Sequence, residues 1–370
     1  MNKLTLLFSG KRGGGITDLT NIINGFIDNE NTQIKLSIIT LRRFDHLEKL
    51  CSENNIKYSF ITNECNNFFK EFYVNIIYIL TVIKNIFFAE KLMFTMTHPN
   101  LLLLPIYRFI SFFTKCHLYY IRHNPTGFRH VENSLKNKLI VLSDCVASIF
   151  SHRLLFFSKN VLKTFEQSVY KNKLYYIGFG VNSFNELPEK SYSTSIQTFI
   201  FFGRCLPYKG LDVLIEALSL IDDRRLNFII ASNSIQKEYI DELSILKSYH
   251  NIDIFNEWLD DHTLDILFKK STCAILPYKE ISQSGPILTS VGYKIPVIAS
   301  DLSGVREYLT DYVDSLLFIP EDPANLREKI LFFNDSANIQ NKLRKGILDT
   351  AKKFSWKNVS INIENIITDD

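Results

Sequence analysis

The chain has 370 residues, 46% of them hydrophobic and 22% charged; this excludes a disordered polymer and leaves room for two globular domains. A net charge of only +3 is too mild for a dedicated nucleic-acid binder, so no nucleic acid is expected as a partner. The charge is uneven, +10 over residues 1–185 and −7 over the remainder, and a basic half points to an anionic partner such as a membrane surface or a lipid phosphate.

In chain order, the apolar run 4–8 (LTLLF) predicts a strand that ends in the glycine-rich turn SGKRGGG. A helix follows from Thr17 to Asp28, then a strand over 34–40. Residues 68–88 carry Phe69, Tyr73, Ile76, Ile77, Leu80, Ile83 and Phe87 at helical spacing. A strand over 92–96, an apolar helix over 101–113 and strands over 118–123, 152–158 and 174–178 complete the first half. The apolar stretch Phe72–Ile83 has 12 residues, against the ~20 needed to cross a bilayer, so neither a membrane span nor a leader peptide is expected. The six cysteines (51, 65, 116, 145, 205 and 273) form no Cys-x-x-Cys pair, which points to a reducing compartment and to neither a metal site nor a disulfide framework.

Residues 185–197 are polar, contain Pro188 and read as a linker. A second alternating series follows, with strands over 198–203, 226–232, 252–256, 273–277 and 296–300. Helices are predicted near 210–220, 236–248, 261–269, 286–293, 323–333, 337–352 and 356–367. Two such series predict an α/β chain of two doubly wound parallel-sheet domains, with ligands at the carboxyl ends of the strands, in a cleft between the domains.

Two segments can carry chemistry. In FFGRCLPYKGLDVLIEAL (201–218) a strand ends at Gly203, Arg204 and Lys209 project from the next loop, and Gly210 opens a helix. A planar guanidinium and a compact ammonium suit a diphosphate, although a solvated loop with two surface charges has the same spacing. In the segment 276–309, Ser282, Gln283, Ser284 and Gly285 lead into a helix with Pro286 at its first position. Amides there attract phosphate or sugar oxygens, and the same residues also make an ordinary helix cap.

Together these segments resemble the retaining family-four glycosyltransferases (glycosyl transferases group 1) of the GT-B fold. The resembling residues are Gly203-Arg204-Cys205…Lys209-Gly210 and Pro296-Val297-Ile298-Ala299-Ser300…Gly304-Val305-Arg306-Glu307. LLFIPEDPANLREKI (316–330), FSW (354–356), FFSKNVLKTF (156–165), IGFGVNSF (177–184) and Gly13-Gly14-Gly15 extend the likeness over essentially the whole chain.

The resemblance implies an acceptor-side domain over 1–185, a donor domain over 198–353 and a terminal helix, 354–370, that returns to the first. It implies a nucleotide-sugar donor as a substrate, no resident cofactor or metal, and a glycan or polyprenyl-diphosphate-linked acceptor. The setting it implies is surface-polysaccharide synthesis in the cytoplasm, peripheral at the inner face of the membrane. Arg204 and Lys209 match the donor-diphosphate pair, and Gly14 and Gly15 the loop that approaches donor phosphate and acceptor. His123 matches a histidine beside the transferred sugar, and His98 has a weaker claim.

The family's two donor-loop glutamates fall here at Ile281 and Thr289, with Glu280 one residue out of register. Ser282, Gln283, Ser284 and Gly285 resemble a branch in which loop backbone and small hydroxyls hold the sugar. An NAD(P)-dependent dehydrogenase is disfavoured, because Gly10-x-x-Gly13-Gly14-Gly15 is not Gly-x-Gly-x-x-Gly. A sugar-nucleotide epimerase and a non-catalytic sugar-nucleotide- or glycan-binding relative remain as alternatives.

Overall fold

Near-continuous apolar runs such as LTLLF and CAIL are what a parallel strand buried on both faces requires, and each predicted run forms a parallel strand, the runs at 174–178 and 252–256 forming less buried edge strands. The computed structural model describes residues 2–10, 14–62, 68–123, 135–166, 170–181, 197–221, 226–281 and 285–369. The chain divides into two units, Met1–Gly180 with Trp356–Asp370, and Val181–Ser355.

The first unit runs β1 (Asn2–Phe8), α1 (Gly14–Asp28), β2 (Ile34–Arg42), α2 (Asp45–Glu53), β3 (Lys57–Thr62), α3 (Phe68–Phe88), β4 (Lys91–Phe94), α4 (Leu104–Phe112), β5 (His117–Arg122), α5 (Leu135–Phe150), β6 (Arg153–Phe156), α6 (Lys159–Lys163) and β7 (Leu174–Tyr176). The strands pair in parallel in the order β3-β2-β1-β4-β5-β6-β7. The second unit runs β8 (Thr198–Phe202), α7 (Leu211–Ser219), β9 (Asn227–Ala231), α8 (Lys237–Leu246), β10 (Asn251–Phe255), α9 (Asp261–Lys270), β11 (Cys273–Leu276), α10 (Gly285–Gly292), β12 (Val297–Ser300), α11 (Ser303–Arg306), β13 (Ser315–Phe318), α12 (Pro323–Asp335) and α13 (Ala337–Lys353). Its order is β10-β9-β8-β11-β12-β13, again parallel. A final helix, α14 (Trp356–Thr368), belongs to the first unit.

The sheet of the first unit has a separate core on each face. One packs Leu19, Ile22 and Ile23 of α1 and Leu47 of α2 with Trp356, Val359 and Ile363 of α14. The other packs Val74, Tyr78, Val82 and Ile86 of α3 with Leu104 and Tyr107 of α4 and Ala147 of α5. Contact between α14 and α1 is close: a Cβ on Gly25 would sit 2.2 Å from the Trp356 carbonyl oxygen, and the Ser360 hydroxyl donates to the Gly25 carbonyl at 2.7 Å.

The structure corrects several expectations. The helix expected over 101–113 is broken into a 3-10 turn, Pro99–Leu103, and α4, because Pro105 lacks the N–H that a continuous helix needs there. Lys91, which opens β4, is buried and donates to the Ile367 carbonyl at the end of α14. Helices α2 and α5 and strands β3 and β13 were not anticipated. Most of the 185–197 linker, and Gly13, lie outside the described residues.

Candidate functional site

Strand order reverses between β8 and β11 in the second unit, and at such a switch point the loops beyond the strand ends diverge and leave room for a ligand. Gly203 and Gly210 shape the first loop. Gly203 has φ +102° and Gly210 φ +70°, both in the region that L side chains avoid. A Cβ on Gly210 would lie 1.8 Å from the Pro277 carbonyl oxygen, so only glycine lets this loop close against the end of β11. The Lys279 amide donates to the Tyr208 carbonyl at 2.9 Å, and the Ser232 hydroxyl donates to the Gly203 carbonyl at 2.6 Å.

The two cations expected to project from this loop differ. Arg204 is exposed. Lys209 is only 8% exposed, with Nζ 4.0 Å from the Tyr278 ring centroid and 5.2 Å from that of Tyr208. Burial pulls its pKa down to about 8, and among the described residues it has no carboxylate partner. Neighbouring Lys279 has Asp212 at 2.6 Å, so its charge is already answered. The Tyr208 hydroxyl is pushed up first by burial, is pulled back by Arg204, and is pushed up again by Glu280. Those three side chains therefore share one neighbourhood, and Glu280 is exposed within it.

Helix α10 starts beside the same loop, since a Cβ on Gly203 would lie 3.7 Å from Pro286 Cγ. A Cβ on Gly285 would meet nothing within 4 Å, so a side chain at that position would have room. The Thr289 hydroxyl donates to the Gly285 carbonyl at 3.0 Å, which spends its proton inside the helix. Ile281 packs at the start of α11, where a Cβ on Gly304 would fall 2.8 Å from Ile281 Cγ2. The two positions where the family carries glutamates thus serve packing and helix bonding. Ser282, Gln283 and Ser284 lie outside the described residues.

In the first unit the strand order reverses between β1 and β4. Gly14 and Gly15 open α1 there, and a Cβ on Gly15 would lie 3.3 Å from the Phe8 ring. His123, just past β5, donates its Nε2 proton to the Thr95 carbonyl at 2.9 Å. Its Nδ1 faces Asp18 Oδ2 at 3.7 Å, and the ring packs edge-on to Phe157. Burial raises the Asp18 pKa to about 6, and the His123 charge pulls it back. The sequence singled out His123 but not Asp18, which is one turn into α1. Behind them Arg122 and Asp144 form a buried pair at 2.5 Å, joined by the Tyr120 hydroxyl, which donates to Asp144 at 2.5 Å. His98 caps the 3-10 turn, its Nδ1 accepting from the Asn100 amide at 3.2 Å.

Residues 196–334 match the family described as glycosyl transferases group 1. An uncharacterized glycosyltransferase of Methanocaldococcus jannaschii is 23% identical over 64% of this chain and 64% of its own length. A second from the same organism is 23% identical over 45% of this chain and 43% of its own. The chain thus spans less than two thirds of these curated relatives. Among solved structures, Anabaena HepE in complex with UDP and glucose superposes at TM-score 0.71, with 15% identity and full coverage of both chains. A glycosyltransferase from Rickettsia africae superposes at 0.69, with 17% identity, over 100% of this chain and 98% of that one. The lipopolysaccharide outer core galactosyltransferase WaaB does so at 0.63, with 15% identity and 99% coverage of each. Two doubly wound parallel sheets and full-length superposition give this chain the GT-B fold, and the residues that match the glycosyl transferases group 1 family lie in the unit that holds Arg204 and Lys209.

Proposed function

We propose that the chain is a glycosyltransferase that moves a hexose from a nucleotide-sugar to a hydroxyl of a glycan or lipid-linked oligosaccharide, with retention, in surface-polysaccharide synthesis. The reading rests on one observation: Lys209 is buried with no carboxylate partner among the described residues, in the same loop as exposed Arg204 and close to the start of α10, at the β8/β11 switch point. A buried cation without a counter-ion is costly unless an anion arrives to match it. A diphosphate has the charge and the size to meet both cations and the helix amides. HepE, of the same fold, was crystallised with UDP and with UDP-glucose, which supports a nucleotide-sugar here.

In the proposed reaction the bond from the anomeric carbon to the diphosphate oxygen breaks, and the acceptor oxygen bonds to the same face of the sugar. The acceptor proton leaves on the departing diphosphate. Arg204, Lys209 and the α10 amides stabilise the negative charge that develops on the leaving group, a kind of contribution that is worth roughly 3–4 kcal/mol per donor. Because the cations do this work, the proposal includes no metal. Gly14 and Gly15 let the first unit's backbone come close to substrate, and the Asp18–His123 pair forms a fixed polar wall for the acceptor. Both nitrogens of His123 are directed at protein groups, so its role is to position the acceptor. Glu280 and the 282–285 loop take the sugar.

A thermal-shift panel of UDP-, GDP- and dTDP-sugars tests donor binding, since a ligand at 100 times its Kd stabilises by about 2.7 kcal/mol. Release of free nucleotide that depends on added acceptor separates a transferase from a binding protein. Stabilisation by none of the panel defeats the proposal.

A further inference from the structure

Helices α3, α4 and α5 cover one face of the first unit's sheet and pack side by side. Their inward stripes are buried, as a sheet-covering layer requires. Their outward faces are apolar as well. Phe72 and Phe88 on α3, Phe109 and Phe112 on α4, Phe113 just beyond it and Leu142 on α5 are all exposed, Phe112 at 83% and Phe88 at 74%. Helices with apolar residues on both sides are not finished by their own sheet.

Among the described side chains of α3, α4 and α5 the exposed charges have one sign, although the sequence places Glu71 in the first turn of α3 and Glu90 just beyond its end. Lys84, Arg108, Lys115 and Lys138 are exposed. From Phe72 to Phe88, over α4 and over α5, the one acidic residue is Asp144, buried against Arg122. Positive charge is also crowded at one edge: the Lys173 pKa is pulled to about 8 by burial and further by Arg108. An isologous contact with a second copy would set these cations against their own images. The occupant that complements the face is apolar within and negative at its rim. That describes a bilayer with anionic headgroups, into which aromatic tips sink while lysine and arginine stems extend to the phosphates.

We propose that the α3–α4–α5 face docks on an anionic lipid bilayer. Among the described residues no helix is long and apolar enough to cross a membrane, so the docking is interfacial. It stands apart from the transfer reaction, and its test uses no nucleotide.

The full chain is co-sedimented with vesicles of phosphatidylcholine alone and of phosphatidylcholine with phosphatidylglycerol. The expected result is partition onto the phosphatidylglycerol vesicles only. It weakens at least about tenfold as salt rises from roughly 0.1 M to 1 M, where the Debye length falls from about 10 to about 3 Å. Phe112→Asp with Phe113→Asp, at exposed positions that leave the melting curve unchanged, weakens it by a similar factor. Lys84→Glu with Lys115→Glu does so without touching an apolar residue. Equal binding to both vesicle types, or binding to neither, overturns the proposal. So does a concentration-dependent dimer in sedimentation velocity that Phe112→Asp dissociates, because a second copy would then cover the face.

Discussion

Lys209→Met should make the ligand-free protein more stable while it weakens nucleotide binding. The ammonium is 8% exposed, and burial lowers its pKa from 10.5 to about 8. That depression corresponds to about 3 kcal/mol of folding free energy withheld at neutral pH. The Tyr278 ring face at 4.0 Å offsets about 1–2 kcal/mol of it. Methionine keeps the stem volume and carries no charge, so the variant should gain about 1–2 kcal/mol and melt about 2–8 °C higher at pH 7. Between about pH 8 and 10.5 the unfolded wild type holds a proton that the folded form has released. Wild-type stability therefore rises through that window, and the gap to the variant closes. Melting curves at pH 7 and pH 10.5, with and without UDP, measure all of this. Saturating UDP should reverse the order at pH 7, because only the wild type presents the ammonium to a diphosphate. A Met variant that melts below wild type without ligand, or that shows the same UDP shift, would refute the argument.

Arg204→Ala, at an exposed position, should leave stability within about 0.5 kcal/mol and lower transfer at least about tenfold, a barrier increase of about 1.4 kcal/mol; a steady-state rate with a radiolabelled donor decides. Gly210→Ala forces a side chain to φ +70° and onto the Pro277 carbonyl, so urea unfolding should show at least about 2 kcal/mol lost together with nucleotide binding. For Asp18 the folded pKa of about 6 lies above the ordinary 3.8, so wild-type stability falls as pH rises through that interval. Asp18→Asn should therefore melt with wild type near pH 4 and above it at pH 7, and equal melting at both would show that the carboxylate is not held back by burial. Glu280→Gln should reduce transfer less than tenfold, whereas complete loss in a folded variant would place the sugar on that carboxylate.

Most of the strands, and the glycine of the loop after β8, were legible because their causes are local. Apolar runs between turns mark strands buried on both faces, and Lys209-Gly210 before an apolar helix marks a turn that needs a left-handed residue. Long-range partners were not legible. Nothing near Lys209 in the sequence says that Tyr278, across the switch point, lies under its ammonium. Asp18 and His123 meet only because β1 and β5 flank β4 in the sheet. The segment that forms α2 and β3 mixes Asp, Glu, Lys and Asn with scattered apolar residues, so neither period dominates until the sheet supplies a face to pack on. Ile281 reads as a missing glutamate in the sequence, and only Gly304 beside it shows what the position does instead.

The placement of α14 has a consequence for the order in which the protein assembles. One core of the first unit needs Trp356, Val359 and Ile363, yet the whole second unit intervenes between Gly180 and Trp356. Closing an unfolded loop of that length costs roughly 4–5 kcal/mol in chain entropy. The second unit is one unbroken segment, Val181–Ser355, and its two ends meet where the Val181 amide donates to the Phe354 carbonyl at 2.6 Å. Once it has folded, the long loop has become a short one, and Trp356 is delivered next to Gly180, where its ring fills the space that a Cβ there would occupy. Folding of the second unit should thus precede, and accelerate, completion of the first. A pulse-labelling hydrogen-exchange experiment would see protection in β8–β12 before it appears in α14.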